Sequence, residues 1–377
     1  RSVSRGLGDV YKRQTIVDTL KLDKYKHIKE WYENPLNKDY KKSLEIEVAG
    51  VPHMFGWGGL HGARTKYQGE GIFVNSDVTS FYPSLMIEYS FLSRNVRRPE
   101  KFKDVYDMRV KLKREGKKAE QAPYKIVLNS TYGASKDKYN NLFDPLQANN
   151  VCINGQLMLL DLIEHVEAEI PEALLIQSNT DGVMFKLPSI ELFDTYKEVA
   201  AEWETRTRMG LEHDLIKKVV QKDVNNYIII MENGKIKSKG AYVKSLNKLD
   251  NDLPIVNKAL MKYFINGISP EETIINCNDL IEFQKVVKVS GKYSHALYGE
   301  QILNEKILRV FASRSRKDPG VYKLHKNKTT PDKIGGTPER CFIENGDIKD
   351  IKVPRKLDKE WYINTAKKRI KDFVGEV

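Results

Sequence analysis

One stretch constrains the chain more than any other: GIFVNSDVTSFYPSL, residues 71–85, where an apolar strand runs into a carboxylate and then directly into a helix start. Ile72, Phe73 and Val74 are β-branched or aromatic, the residue types of a buried strand, and Pro83 after Tyr82 suits a first helical turn. Asp77 stands where the strand stops. A carboxylate at such a junction, followed by outward-pointing backbone amides, suits a site where a metal ion meets a polyphosphate. An Asp after a strand equally serves to cap the next helix. The choice between these roles depends on the rest of the chain.

Two further stretches carry chemistry. Residues 100–118 have helical periodicity, with Val105, Met108 and Leu112 on one side and Arg109 and Lys113 spaced i, i+4 on another. Residues 116–121 are expected to break that helix, and Ala122-Pro123 to open a second one, giving a short antiparallel helical hairpin. On the second helix, KIVLNSTYG (residues 125–133) spaces Lys125, Asn129 and Tyr132 at i, i+4, i+7, so an ammonium, an amide and an aromatic ring share one face. Taken alone, Lys125 is equally a solvated surface lysine. In ALLIQSNTDGVMFKL, residues 173–187, two apolar runs flank Asn179-Thr180-Asp181-Gly182, a strong hairpin signal that puts Asp181 at the tip.

DVTSFYPSL resembles motif A of family B DNA polymerases, KIVLNSTYG resembles motif B (K-x-x-x-N-S-x-Y-G), and NTDG resembles motif C, in that family's order. The resemblance spans roughly residues 45–377 and is strongest to the bacteriophage branch. It implies an α+β fold of right-hand architecture, with an antiparallel palm sheet, short helical-hairpin fingers and a basic thumb. On that plan residues 15–70 are an N-terminal remnant with a template-side loop, 71–100 palm, 101–137 fingers, 138–290 palm and 291–377 thumb. The implied activity is template-directed DNA synthesis, a nucleotidyl transfer using two magnesium ions, or manganese, about 3.5–4 Å apart. Asp77 and Asp181 would bridge the ions, with the Val78 carbonyl as a third ligand. The amides of Ser80 and Phe81 would cradle phosphates, and Arg109 and Lys125 would clamp the triphosphate. Asn129 and Tyr132 would line the nucleotide site, Tyr132 beside the nascent base pair, and Tyr82 would be the steric gate against a 2′-hydroxyl.

The glycine-dense MFGWGGLHGA, residues 54–63, lies where family members carry a Y-x-G-G template loop, so Gly58 and Gly59 are expected at the template although the spacing differs; His61 is read as structural. Residues 222–242 read as a hairpin turning at Asn233-Gly234, where the family has a primer-gripping K-x-Y. Its lysine position is Asn225 here, so Tyr227 carries over and Lys237 or Lys239 would supply the charge. The first member of the family's D-T-D is Asn179, which leaves the two-carboxylate core intact. Elsewhere, residues 154–169 read as an amphipathic helix ended by Pro171, 191–209 as another, and the region from 291 as short helices and turns.

Charge suits a polyanionic partner. Lys and Arg number 63 against 51 Asp and Glu, a formal +12, and residues 291–377 hold 20 against 12. Solvated surface lysines would give the same balance. Cys152, Cys277 and Cys341 form no C-x-x-C pair, which argues against a zinc or iron–sulfur site and for a reducing compartment. No run of 18 apolar residues is present to span a membrane. Residues 1–14, RSVSRGLGDVYKRQ, read as a non-native scar, and a nuclease domain is expected in the parent protein upstream. Asp77 to Lys125 and Gly133 to Asp181 are each 48 residues, which leaves no room for the insertions of protein-primed relatives. The expected partners are primer–template DNA and deoxynucleoside triphosphates, for a monomer in the host cytoplasm. Two rivals stand: a palm enzyme using RNA template or ribonucleotides, and a basic nucleic-acid-binding fragment without catalysis.

Overall fold

Strand β4 (Tyr67–Val78) grows from the apolar run Ile72-Phe73-Val74, and Phe73, Val74, Ser76 and Val78 are buried. The computed structural model describes residues 14–37, 42–244 and 252–375, which divide into two compact units. The first comprises residues up to 64, 69–218 and 230–235; the second comprises 65–68, 219–229 and 236 onward.

In the first unit, β1 (Leu44–Val48), β2 (Val51–Phe55), β3 (His61–Ala63), β5 (Leu174–Ser178), β6 (Gly182–Leu187) and the start of β7 (Leu211–Asp223) join β4. The order is β1-β2-β3-β5-β6-β4-β7. The β5–β6 hairpin forms as its sequence implies, and β6 pairs antiparallel with β4 from Ile72↔Leu187 to Asp77↔Gly182. This register sets the two acidic residues at the same end of neighbouring strands.

The unit's helices are α1 (Lys26–Glu33), α2 (Phe81–Glu88), α3 (Pro99–Arg114), α4 (Lys118–Lys136), α5 (Pro145–Glu169) and α6 (Leu192–Thr207). Two expectations change. The α3–α4 hairpin exists, but α4 starts at Lys118 and carries Pro123 inside it; the break is confined to residues 115–117, around the left-handed Gly116. Helix α5 starts at Pro145, capped by the Asp144 side chain, and is buried on every side from Ala148 to Ile163 instead of being amphipathic. Several of its polar side chains bond the segment of residues 15–25. Asn154 Oδ1 accepts from Val17 N at 2.9 Å, Asp161 Oδ2 from Lys21 N at 2.6 Å and Glu164 Oε1 from Asp23 N at 2.6 Å. Backbone N–H groups outside regular structure need partners, and α5 supplies them here.

The second unit holds the far end of β7, most of β8 (Asn226–Met231), and β9 (Ile236–Lys239), with helices α7 (Pro254–Asn266), α8 (Pro270–Ile275) and α9 (Lys359–Val374). Phe264 of α7 and Phe373 of α9 meet with ring centroids 5.3 Å apart in its core. The strands that follow in chain order are β10 (Lys285–Lys288), β11 (Tyr293–Tyr298), β12 (Gln301–Leu303), β13 (Ile307–Ala312), β14 (Val321–His325), β15 (Asp332–Lys333) and β16 (Cys341–Ile343). They make a three-stranded sheet, β10-β13-β16, and a four-stranded one, β12-β11-β14-β15. Beyond 291 the turns are therefore joined by short strands and by one 16-residue helix, α9, in place of the short helices expected. Strands of two to six residues show too few alternations to reveal a period of two in sequence.

All three cysteines are free thiols. Among the described residues no helix is long and apolar enough to cross a membrane.

Candidate active site

The junction after β4 settles the role of Asp77 in the helix. The N-cap of α2 is Ser80, held left-handed at φ 48°, ψ 48°, so Asp77 stands three residues before the cap and does not fill it. Ser84 N donates to Ser80 O at 2.8 Å and Ser84 Oγ to Thr79 O at 3.1 Å, which close the first turn without the carboxylate. Asp77 Oδ2 instead accepts from Asn75 Nδ2 at 3.0 Å.

Across the sheet, the hairpin tip is tied to this junction. Val78 N donates to Asp181 O at 2.7 Å, and Asn179 N to Gly182 O at 2.9 Å. Asn179 Oδ1 accepts from Asp181 N at 3.0 Å, an Asx turn that shapes the tip. The glycine-rich loop lies against the same tip. A Cβ on Gly59 would stand 2.1 Å from Thr180 Oγ1, so this glycine is required by close approach to the hairpin, while a Cβ on Gly58 would meet nothing within 4 Å. Gln156 Nε2 of α5 donates to the carbonyls of Gly56 and Gly58, each at 2.8 Å, and pins the loop.

Asp77 and Asp181 open onto a cleft of about 380 Å³, which also gathers every residue assigned to the nucleotide: Val78, Ser80, Phe81, Tyr82, Arg109, Lys125, Asn129 and Tyr132. Helix α3 contributes Arg109, 9% exposed, whose Nη1 donates to Ser80 Oγ and whose Nε donates to Gln121 Oε1 at 3.2 Å. Burial lowers the Arg109 pKa, yet a guanidinium stays charged at neutral pH. Helix α4 contributes Lys125 and Asn129, both exposed, and Tyr132, whose ring stands edge-on to Tyr82 with centroids 4.6 Å apart. Burial first, then the neighbouring Cys152 and Asp181, push the Tyr82 phenol well above its usual pKa, so it is a neutral wall. Behind it, a Cβ on Gly155 of α5 would come to 3.3 Å from Tyr82 Cε1 and 3.4 Å from Phe81 Cε1.

The cleft also holds residues that the motifs do not mark. Glu212, at the start of β7, accepts from Thr79 Oγ1 at 3.1 Å and pairs with Lys113, whose ammonium holds the carboxyl below its usual range. Lys113 was visible as the i+4 partner of Arg109. Glu212 had no local signal, because its place depends on β7 lying next to β4.

One solved structure that the fold matches is the family B DNA polymerase from the hyperthermophilic archaeon Pyrobaculum calidifontis, with a TM-score of 0.55 at 14% identity. The fold is polymerase-like. The match covers 89% of this chain and 48% of the archaeal one, so the chain spans about half that polymerase's length. No protein-family model and no curated protein matches the sequence.

For a cation, the donors in this cleft are hard oxygens. Among the described residues no group of three or more His, Cys, Asp or Glu side chains gathers to hold a metal. Two carboxylates, one near the end of β4 and one in the turn before β6, nonetheless fit magnesium, whose sites typically use one or two carboxylates and leave the remaining positions to phosphates and water. The residues expected at the primer lie in the second unit: Tyr227 on β8, and Lys237 and Lys239 on β9. Lys239 Nζ sits 5.9 Å from the Tyr227 ring centroid. Asn225 falls in the β7–β8 turn, its N–H donating to Asp223 Oδ1 at 2.8 Å.

Proposed function

We propose that the chain is the synthetic portion of a family B DNA polymerase of the bacteriophage branch, a nucleotidyltransferase adding deoxynucleotides to a primer 3′-hydroxyl. The observation that carries the proposal is the convergence in one cleft of Asp77, near the end of β4, and Asp181, in the turn that leads into the paired strand β6, with Arg109, Lys125 and the Tyr82 wall. On this reading the sheet around β4, β5 and β6 is the palm, α3 and α4 are the fingers, and the second unit from 291 onward is the thumb.

Asp77 and Asp181, with the Val78 carbonyl, would hold two magnesium ions, or manganese. Bound there, the ions would supply Lewis acidity to the attacking hydroxyl and charge neutralisation to the departing pyrophosphate. The protein's own groups do the rest. Arg109, held by Ser80 and Gln121, presents a fixed guanidinium to the phosphates, and the exposed Lys125 of α4 adds an ammonium. The α2 amides of Ser80 and Phe81 donate to phosphate oxygens at a helix N-terminus. Tyr82, backed by α5 and braced by Tyr132, fills the volume where a ribose 2′-hydroxyl would sit. Gly58, Gly59, Tyr227, Lys237 and Lys239 are the proposed DNA contacts.

The test is primer extension on a DNA primer–template with magnesium, run in parallel with manganese, with RNA template and with ribonucleotides. Extension by deoxynucleotides on DNA is the expected result. Preference for RNA template or ribonucleotides would move the chain to another palm chemistry. Salt-sensitive DNA binding with no extension would leave a nucleic-acid-binding fragment.

A further inference from the structure

Helix α4 has a second working face. Lys125, Asn129 and Tyr132 line the cleft, whereas Val127 and Thr131, on the other side of the same helix, line a separate groove of about 730 Å³. The groove's floor is apolar, formed by Val96, Phe102, Val105, Val127 and Leu142, and Val127 is 52% exposed. Its rim carries Arg97, Arg98 and Lys101, and no carboxylate is among the lining residues. Lys101 is engaged at 3.0 Å by Asp104 on its own helix. Arg97 and Arg98 have no ion-pair partner among the described residues, and both are exposed.

Two adjacent guanidinia over an apolar trough match a ligand that alternates anionic groups with flat, weakly polar ones. A single nucleic-acid strand has that pattern. Its phosphates take bidentate guanidinium bonds, and its unpaired bases lie on apolar surface or stack on guanidinium planes. A duplex would keep its bases inside and leave the trough unfilled. We infer that this groove binds single-stranded nucleic acid, the unpaired template ahead of the site of synthesis. The template assignment rests on the polymerase reading; binding of a single strand does not.

The experiment uses the full chain and fluorescence anisotropy. The ligands are labelled oligo-dT and primer–templates with long or one-nucleotide 5′ template overhangs. The double variant Arg97→Ala/Arg98→Ala should bind oligo-dT and the long-overhang DNA about tenfold more weakly, and its log–log salt slope should be smaller by about 1.4, the share of two phosphate contacts on a single strand. Binding and extension of the one-nucleotide overhang should be unchanged, and a melting curve like that of wild type shows the fold intact. Arg97→Lys/Arg98→Lys should recover most of the salt slope but not all of the affinity, since an ammonium cannot pair bidentately or stack. Equal affinity of wild type and the Ala variant for the long overhang would overturn the inference. So would arginine-dependent binding of a poly-glutamate peptide as tight as that of oligo-dT, which would make the groove an acidic-protein surface. A chain that binds strands through these arginines yet extends no primer would keep the groove and remove the polymerase reading. Extension with no effect of the arginines would do the reverse.

Discussion

Asp77 and Gly182 face each other across β4 and β6, and a Cβ at position 182 would stand 2.3 Å from Asp77 Oδ1 and 2.8 Å from the Ser76 carbonyl. Gly182 is not among the residues with positive φ, so space and not backbone conformation demands a glycine there. Gly182→Ala should therefore displace the Asp77 carboxylate. The expected cost is about 1–3 kcal/mol of stability from overpacking, and about a hundredfold in kcat from the misplaced group. Thermal melting and primer extension measure the two effects. A variant with wild-type kcat would show that Asp77 need not hold this position.

Asp77→Asn and Asp181→Asn should each abolish nucleotide addition and leave DNA affinity nearly unchanged, because phosphate contacts elsewhere do not depend on these carboxylates. Anisotropy and single-turnover extension on the same samples separate binding from chemistry. Wild-type turnover in either variant would end the two-carboxylate assignment.

Much of this site was legible locally. The strand before Asp77, the hairpin around Asp181 and the shared face of Lys125, Asn129 and Tyr132 are each written within about ten residues, where period and turn chemistry act. What was not legible depended on distant partners. Glu212 enters the cleft only because β7 lies beside β4. The segment around Val17 and Lys21 carries no strong pattern because its hydrogen-bond partners, Asn154 and Asp161, lie on α5 more than a hundred residues away. Helix α5 lacks the polar face that its sequence suggests: Asn154, Gln156 and Asp161 look solvent-facing in sequence but are buried and bonded. The packing of Gly59 against Thr180 of the hairpin, which leaves no space for a Cβ, was likewise hidden, because the two are 121 residues apart in the chain.

Acid should loosen the bracing of the N-terminal segment. Arg206 bonds Glu202 and Asp161 and donates to the Thr19 carbonyl at 2.7 Å. The Arg206 bond holds the Glu202 carboxyl down at about 2. A pKa depressed in the folded state gives stability that is present above the unfolded value, about 4.3, and is lost as pH falls toward the folded one. Glu202 is half exposed, so the effect is small. Denaturant titrations of wild type and Glu202→Gln should differ at pH 6 and converge as pH falls from about 4 to about 2. A gap that stays constant over that range would mean the Arg206 bond contributes nothing through the charge of Glu202.

Tyr82→Ala should admit ribonucleotides, since it removes a wall and leaves both carboxylates in place. The ratio of kcat/KM for a deoxynucleotide to that for its ribo counterpart should fall at least tenfold, in line with the limits of discrimination by packing. Because Tyr132 leans edge-on against Tyr82, Tyr132→Ala should shift the same ratio less, by letting the gate ring move. An unchanged ratio in Tyr82→Ala would reject the gate.

Asn179 gives the most discriminating test, since here the sequence departs from the motif it resembles. Its Oδ1 accepts from Asp181 N, its own N–H donates to Gly182 O, and it does not line the cleft, although Thr180 and Asp181 do. On the polymerase reading the side chain shapes the turn that presents Asp181 and is expected to contribute no ligand. Asn179→Ala removes one hydrogen bond, at a cost of about 0.5–1.5 kcal/mol, and should lower kcat severalfold through a looser Asp181. In Asn179→Asp a carboxylate oxygen can accept the same N–H, so activity should stay within about twofold and the magnesium and manganese titrations should superimpose on those of wild type. If the added carboxylate instead tightens magnesium dependence or reverses the metal preference, position 179 reaches the ions, because ligand charge sets affinity at such sites. Metal titration of primer extension for the three proteins decides it, and the Ala variant controls for turn geometry, since it loosens the hairpin without adding charge.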